Sequence, residues 1–183
     1  MLFEDLFFSG VMKMGPSRTD PDRQVGVFNP DYVAALPGLL ASEMEKFRWL
    51  VGEWAHENIV PATRFSPAYT DVGVGRFSLS ERGDWLCMVA PDGRETPHIT
   101  FDPFSRQWIY ILMRGAYGML RSVEGWKGDG ITFMGEMTML GPTRPWRMTW
   151  TRDGADKFSF INEERTPDRT WAYIDEWRFT RKA

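Results

Sequence analysis

From residue 52 to residue 181 the chain is a succession of short runs rich in Val, Ile, Phe, Tyr, Trp and Thr, each closed by Gly, Pro or Asp. The runs fall at residues 52–60, 70–80, 84–90, 97–101, 107–113, 117–124, 130–139, 144–152, 157–164 and 170–181. They are too short and too evenly punctuated for helices, and the breakers between them are hairpin formers: Asp92-Gly93, Gly141-Pro142, Asp153-Gly154 and Pro167-Asp168 among others. The spacing predicts an all-β fold, a single antiparallel up-and-down barrel of about ten strands.

The first run decides what such a barrel would contain. In a strand starting at Gly52, Trp54, His56 and Asn58 share one face, while Ala55, Glu57 and Ile59 share the other. If the Trp54 face is the inner one, the lumen carries polar groups. Just before it, Leu40, Met44, Phe47 and Leu50 recur at helical spacing, with Ser42 as a cap and Glu43 and Glu45 in the first turn, which predicts one short helix over residues 39–50. Residues 1–38 hold Gly15-Pro16, Asp20-Pro21, Asn29-Pro30 and Pro37-Gly38 and read as an extended arm, leaving 39–183 as the barrel domain. The arm's Phe3, Phe7 and Phe8 are costly to leave in water, so they are expected to pack on the barrel or on a second subunit, a homodimer through the arm.

Several function classes drop out. A net charge of -3 with scattered Lys and Arg offers no concentrated basic face for nucleic acid. One cysteine, Cys87, forms no internal disulfide, and Glu4 and Asp5 stand where a secretory signal needs positive charge. No apolar run reaches the ~18 residues of a membrane span. The expected setting is therefore cytoplasmic, with no membrane partner. His56 and His98 lie on different runs and give no metal-ligand spacing. There is no Gly-x-Ser-x-Gly, and the glycines from Gly125 to Gly130 open a strand rather than a helix.

The closing run adds candidates. Trp171, Tyr173, Asp175, Trp177 and Phe179 alternate onto one face, and closure places this strand beside the first, bringing Asp175 and Tyr173 toward His56. Tyr110 and Arg114 alternate with Trp108 and Leu112, and Arg121 with Met119 and Val123; either parity of these strands is compatible with the pattern. An inward arginine, Arg114 or Arg121, would favour a carboxylate or sulfonate on the ligand.

Gly52-x-Trp54, the tract from Ile99 to Pro103 leading to Trp108, and the stretch from Gly125 to Phe133 together resemble the calycins. The chain is most similar to the bacterial lipocalin-like domain of unknown function, the 1579 family, with relatives in the nitrobindin and fatty-acid-binding folds. The resemblance implies a barrel with a ligand cavity, closed at its base by Trp54 under Arg181, and it implies no reaction. Nitrobindin holds haem through a late histidine; this chain has none after His98, so no cofactor is expected.

Two functions follow. One is binding of a small, largely apolar or aromatic molecule with a carboxylate or hydroxyl end, through Trp54, Asn58, Tyr110, Arg121, Trp171 and Trp177. The other is a cofactor-free lyase, isomerase or hydratase with His56 as acid or base, assisted by Asp175 and Tyr173.

Overall fold

Ten strands close on themselves, in a computed structural model that describes residues 30–64, 66–90, 95–139 and 141–182. The chain divides into two units, Met1–Gly38 and Leu39–Ala183, and the barrel belongs to the second. The expectations for Phe3, Phe7 and Phe8 lie outside the described residues.

The strands are β1 (Gly52–Val60), β2 (Tyr69–Leu79), β3 (Leu86–Val89), β4 (Glu95–Asp102), β5 (Gln107–Arg114), β6 (Ala116–Ser122), β7 (Gly130–Met139), β8 (Thr143–Asp153), β9 (Lys157–Arg165) and β10 (Trp171–Arg181). Each pairs antiparallel with its sequence neighbours, and β10 closes on β1. Turn chemistry set these boundaries: every strand ends within two residues of the sequence expectation. Among the described residues no helix is long and apolar enough to cross a membrane.

The helix differs from expectation. Helix α1 spans Pro30–Glu45, with Pro37 inside it, and a single 3-10 turn follows at Arg48–Leu50. The prolines read as breakers are accommodated for two reasons. Pro30 opens the helix, where its missing N–H is an orphan in any case. The carbonyl that Pro37 leaves without a donor belongs to Val33, whose side chain is 46% exposed, so water can reach that side.

Register fixes which side chains face inward. Across β1 and β10, Trp54 meets Arg181, His56 meets Phe179 and Asn58 meets Trp177. Across β9 and β10, Phe158 meets Phe179, Phe160 meets Trp177 and Asn162 meets Asp175. The lumen therefore has two unlike halves. Its base is an aromatic plug in which Phe47, Trp54, Phe77, Trp108, Trp150 and Phe179 are at most 2% exposed. Phe158 stacks on Phe179 at 4.2 Å, and Phe47 tilts against Trp108 at 4.4 Å. Toward the other end the inward residues His56, Asn58, Asp175 and Trp177 are only half-buried.

The base is closed as the resemblance implied. The Arg181 guanidinium lies 4.3 Å over the Trp54 ring and donates to the carbonyls of Val51, at 3.1 Å, and Trp49, and to Asp156 at 3.1 Å. Trp54 donates its indole N–H to Leu50 at 2.7 Å, tying β1 to the turn that feeds it. A ring buried on all sides thus keeps its polar atom satisfied.

Candidate ligand site

The half-open end of the lumen is organised around Asp175. Asn162 donates its amide to the carboxylate at 2.8 Å, and Trp177 donates its indole N–H at 3.4 Å. The Asn58 side chain lies near enough to favour the charged form of the carboxyl as well. Trp146 donates to Asn162 Oδ1 at 3.0 Å, which leaves the Asn162 nitrogen to face Asp175 and fixes that amide's orientation. Burial pushes the Asp175 carboxyl above its ordinary value, and these three side chains hold it partly back. Across the lumen, burial and then the charge of Asp175 push the Tyr110 phenol up.

Two buried polar atoms here have no partner: Asn58 Oδ1 and His56 Nδ1. A buried acceptor left unmade costs about 1 to 3 kcal/mol, so such atoms mark a place a ligand can complete. The His56 ring lies against Trp177 at 5.2 Å and Phe179 at 5.7 Å. Burial lowers its pKa, and the charge of Asp71 works in the opposite direction, so the imidazole is held toward its neutral form. Gly73, opposite His56 on β2, makes room for it: a Cβ there would sit 2.7 Å from Nε2 and 2.8 Å from Cε1. Gly73→Ala is expected to cost about 1 to 3 kcal/mol through overpacking and to shift the His56 ring resonances. A denaturant titration and an NMR spectrum check both; an unmoved His56 would show that the ring does not lie over Gly73.

The sequence-derived candidates separate into groups. Asn58, Asp175, Trp177, Tyr110 and His56 all face inward. His56 and Asp175 do not bond each other: Asp175 takes Asn162 and Trp177, while the carboxylate acting on His56 is Asp71. Trp54 faces inward but lies in the base plug, one closure away from the half-open end.

Tyr173 and Trp171 depart from the expected parity. The pairing of β10 with β9 shifts register between Tyr173 and Asp175, and this bulge turns the strand over. Tyr173 is 43% exposed and its hydroxyl reaches the Ile59 carbonyl at 3.4 Å. Trp171 lies under the Arg147 guanidinium at 4.6 Å, and Arg147 is held by Glu163 at 2.6 and 2.7 Å.

Arg121 likewise faces outward. Its neighbours Leu120 and Ser122, 0% and 1% exposed, take the inner face, and the guanidinium sits 3.6 Å from Asp102 and 3.5 Å from Ser105. Arg121 is therefore outside the lumen, whereas Arg114 keeps the parity of Tyr110 and Leu112 on β5. Asn162 and Trp146 were absent from the sequence candidates. Alternation with Phe158 and Phe160 is the signal that would have found Asn162.

A groove of about 510 Å3 runs along β1, β2 and β8 to β10, lined by outward residues such as Glu57, Glu176 and Arg178 and bordered by His56 and Phe179. Its charges are mixed, and Arg178 is already bonded to Glu176 at 2.8 and 2.9 Å. Nothing there converges as the groups around Asp175 do.

No family model matches this chain, and no curated protein matches it in sequence. Among solved structures, Rv2717c from M. tuberculosis superposes with a TM-score of 0.53 at 13% identity, covering 79% of this chain and 99% of that one. A second, EF1p2_mFAP2b bound to DFHBI, covers 78% of this chain and 99% of its own at 12% identity, with a TM-score of 0.35. The first likeness is one of fold alone.

Proposed function

We propose that the protein is a calycin-type binding barrel whose half-open lumen takes a small, largely apolar or aromatic molecule with a polar end. The observation that carries this reading is the pair of unpartnered buried atoms, Asn58 Oδ1 and His56 Nδ1, beside a buried carboxylate on a wall of aromatic rings. Such a setting is costly to maintain in a closed core and is recovered when a ligand supplies the missing partners. Titration with the neutral aromatic dye N-phenyl-1-naphthylamine, followed by its fluorescence and by the melting temperature, tests it. Saturable enhancement with a rise in Tm is expected; neither effect with that dye or with a set of aryl alcohols would remove the reading.

A second reading makes His56 the acid or base of a cofactor-free lyase, isomerase or hydratase. The imidazole held toward its neutral form favours it, since a base must be unprotonated to act. It would act without Asp175 as its orienting partner, because that carboxylate is bonded elsewhere. Loss of turnover in His56→Gln with an unchanged melting curve would support it.

A homodimer through residues 1–38 belongs to the same proposal, in a cytoplasmic setting. Deleting residues 1–38 is expected to halve the mass in sedimentation while leaving dye binding intact; an unchanged mass would remove the arm from assembly.

A further inference from the structure

Among the described side chains at the half-open end of the lumen, the unpaired charge is one-sided. Register places Asp71 opposite Asn58, so this exposed residue stands at the rim of the face that carries Asn58 on β1 and Asp175 on β10. Neither Asp71 nor Asp175 is in an ion pair with a described residue. Of the inner-parity arginines whose side chains are described, Arg144 sits 3.4 Å from Glu164, Arg152 lies 4.7 Å over the Trp49 ring, and Arg181 is bound to Asp156 and to carbonyls behind Trp54; Arg114 shares the parity of Tyr110 on β5. Arg121 is on the outside with Asp102. His56 adds little charge while its pKa is lowered.

The hydrogen-bonding capacity is one-sided in the same sense. Asn58 Oδ1 is an acceptor without a donor. The Asp175 carboxylate receives neutral donors only, and two carboxylate oxygens offer about four acceptor positions against the two used by Asn162 and Trp177. A ligand carboxylate entering here would meet acceptors and like charge. A group carrying N–H donors and positive charge would meet the open Oδ1, the remaining lone pairs and an opposite charge, and it would recover the desolvation that Asp175 now bears. Beside them Trp177 stacks with Phe160 at 5.8 Å, a flat wall suited to a ring and to a cation over it.

We infer that the polar end of the ligand is cationic: an organic ammonium or amidinium on an apolar or aromatic body, with its N–H groups shared between Asp175 and Asn58 Oδ1 and its body against Trp177. This rests on the lumen being the ligand site, and it replaces the carboxylate end that an inward Arg121 would have favoured.

Three isosteric probes separate the two claims. Calorimetric titration of the full chain at neutral pH with 2-phenylethylamine, 2-phenylethanol and 3-phenylpropanoate is expected to rank them amine, alcohol, acid, the amine at least about tenfold tighter than the alcohol. Asp175→Asn, shown folded by its melting curve, is expected to bring the amine-to-alcohol affinity ratio from about tenfold down to about onefold. If the acid binds as tightly as the amine, the inference is overturned while the binding reading stands. The same holds if the amine's advantage survives Asp175→Asn, because general attraction to an acidic protein would then explain it. If none of the three binds at millimolar concentration, both fall.

Discussion

Trp54→Ala is expected to destabilise the protein by about 3 to 5 kcal/mol, the range for truncating a large aromatic residue in a closed core. Trp54 is 0% exposed and meets Phe158 at 5.0 Å and Trp49 at 6.1 Å, both edge-on. Its loss also removes the ring beneath Arg181 and the donor to Leu50. The guanidinium would keep its carbonyl and Asp156 contacts, so the cation-π contact, about 0.5 to 2 kcal/mol, is the smaller part of the loss. Urea titration measures this. A loss under about 1 kcal/mol would mean that Trp54 does not close the barrel.

Two substitutions at Asp175 are expected to act in opposite directions. Asp175→Leu strands the Asn162 amide and the Trp177 indole, and at about 1 to 3 kcal/mol per unmade buried donor the expected cost is about 2 to 4 kcal/mol. Asp175→Asn keeps an acceptor for Asn162, gives up the long 3.4 Å contact with the Trp177 indole and removes a charge that burial disfavours, so the net expectation is a stabilisation of under about 1 kcal/mol. The sign of the pH dependence follows. Burial raises the Asp175 pKa from 3.8, so the folded state holds its proton more tightly than the unfolded chain does. The stability this contributes is fully present below pH 3.8 and is lost as pH rises through the folded value. The advantage of Asp175→Asn should thus be small in acid and should open as pH rises toward neutrality. Melting curves of wild type and variant across that range decide it; a constant gap would mean that Asp175 titrates as an exposed carboxylate.

This contrast is the cost expected of a recognition group. A carboxylate kept in a half-buried aromatic setting destabilises the protein in the absence of a ligand and discriminates among ligands when one enters.

The barrel was legible because it is written in local terms. Gly, Pro and Asp close each strand, and the parity of β1 follows from Trp54, which can only be a core residue. The parity of β10 was legible as far as Asp175 and not before it. Trp171, Ala172, Tyr173 and Ile174 alternate without a break, and only the pairing with β9 reveals the extra residue. Arg121 was ambiguous for a different reason. Ser122 looks like a surface residue, yet it is 1% exposed because its hydroxyl accepts the Trp108 backbone N–H at 2.9 Å. A polar side chain spent on a strand neighbour hides the inner stripe that it shares with Leu120. Asn162 is a similar case: its amide is satisfied by Trp146 and Asp175, partners far apart in sequence. Pro37 was misread because its effect depends on where Val33 faces, which the helix itself determines.

The indole N–H groups report on the central claim one residue at a time. Trp177 donates to Asp175 and Trp146 to Asn162 at the half-open end, whereas Trp54 donates to Leu50 in the base plug. In a 15N-labelled sample titrated with N-phenyl-1-naphthylamine, the Trp177 and Trp146 indole signals are expected to shift in saturable fashion while the Trp54 signal stays in place. Shifts confined to Trp49 and to Trp126, which packs on Phe47 and Trp49 at the base, or no indole shift at concentrations where the dye is bound, would contradict a ligand site in the lumen around Asp175.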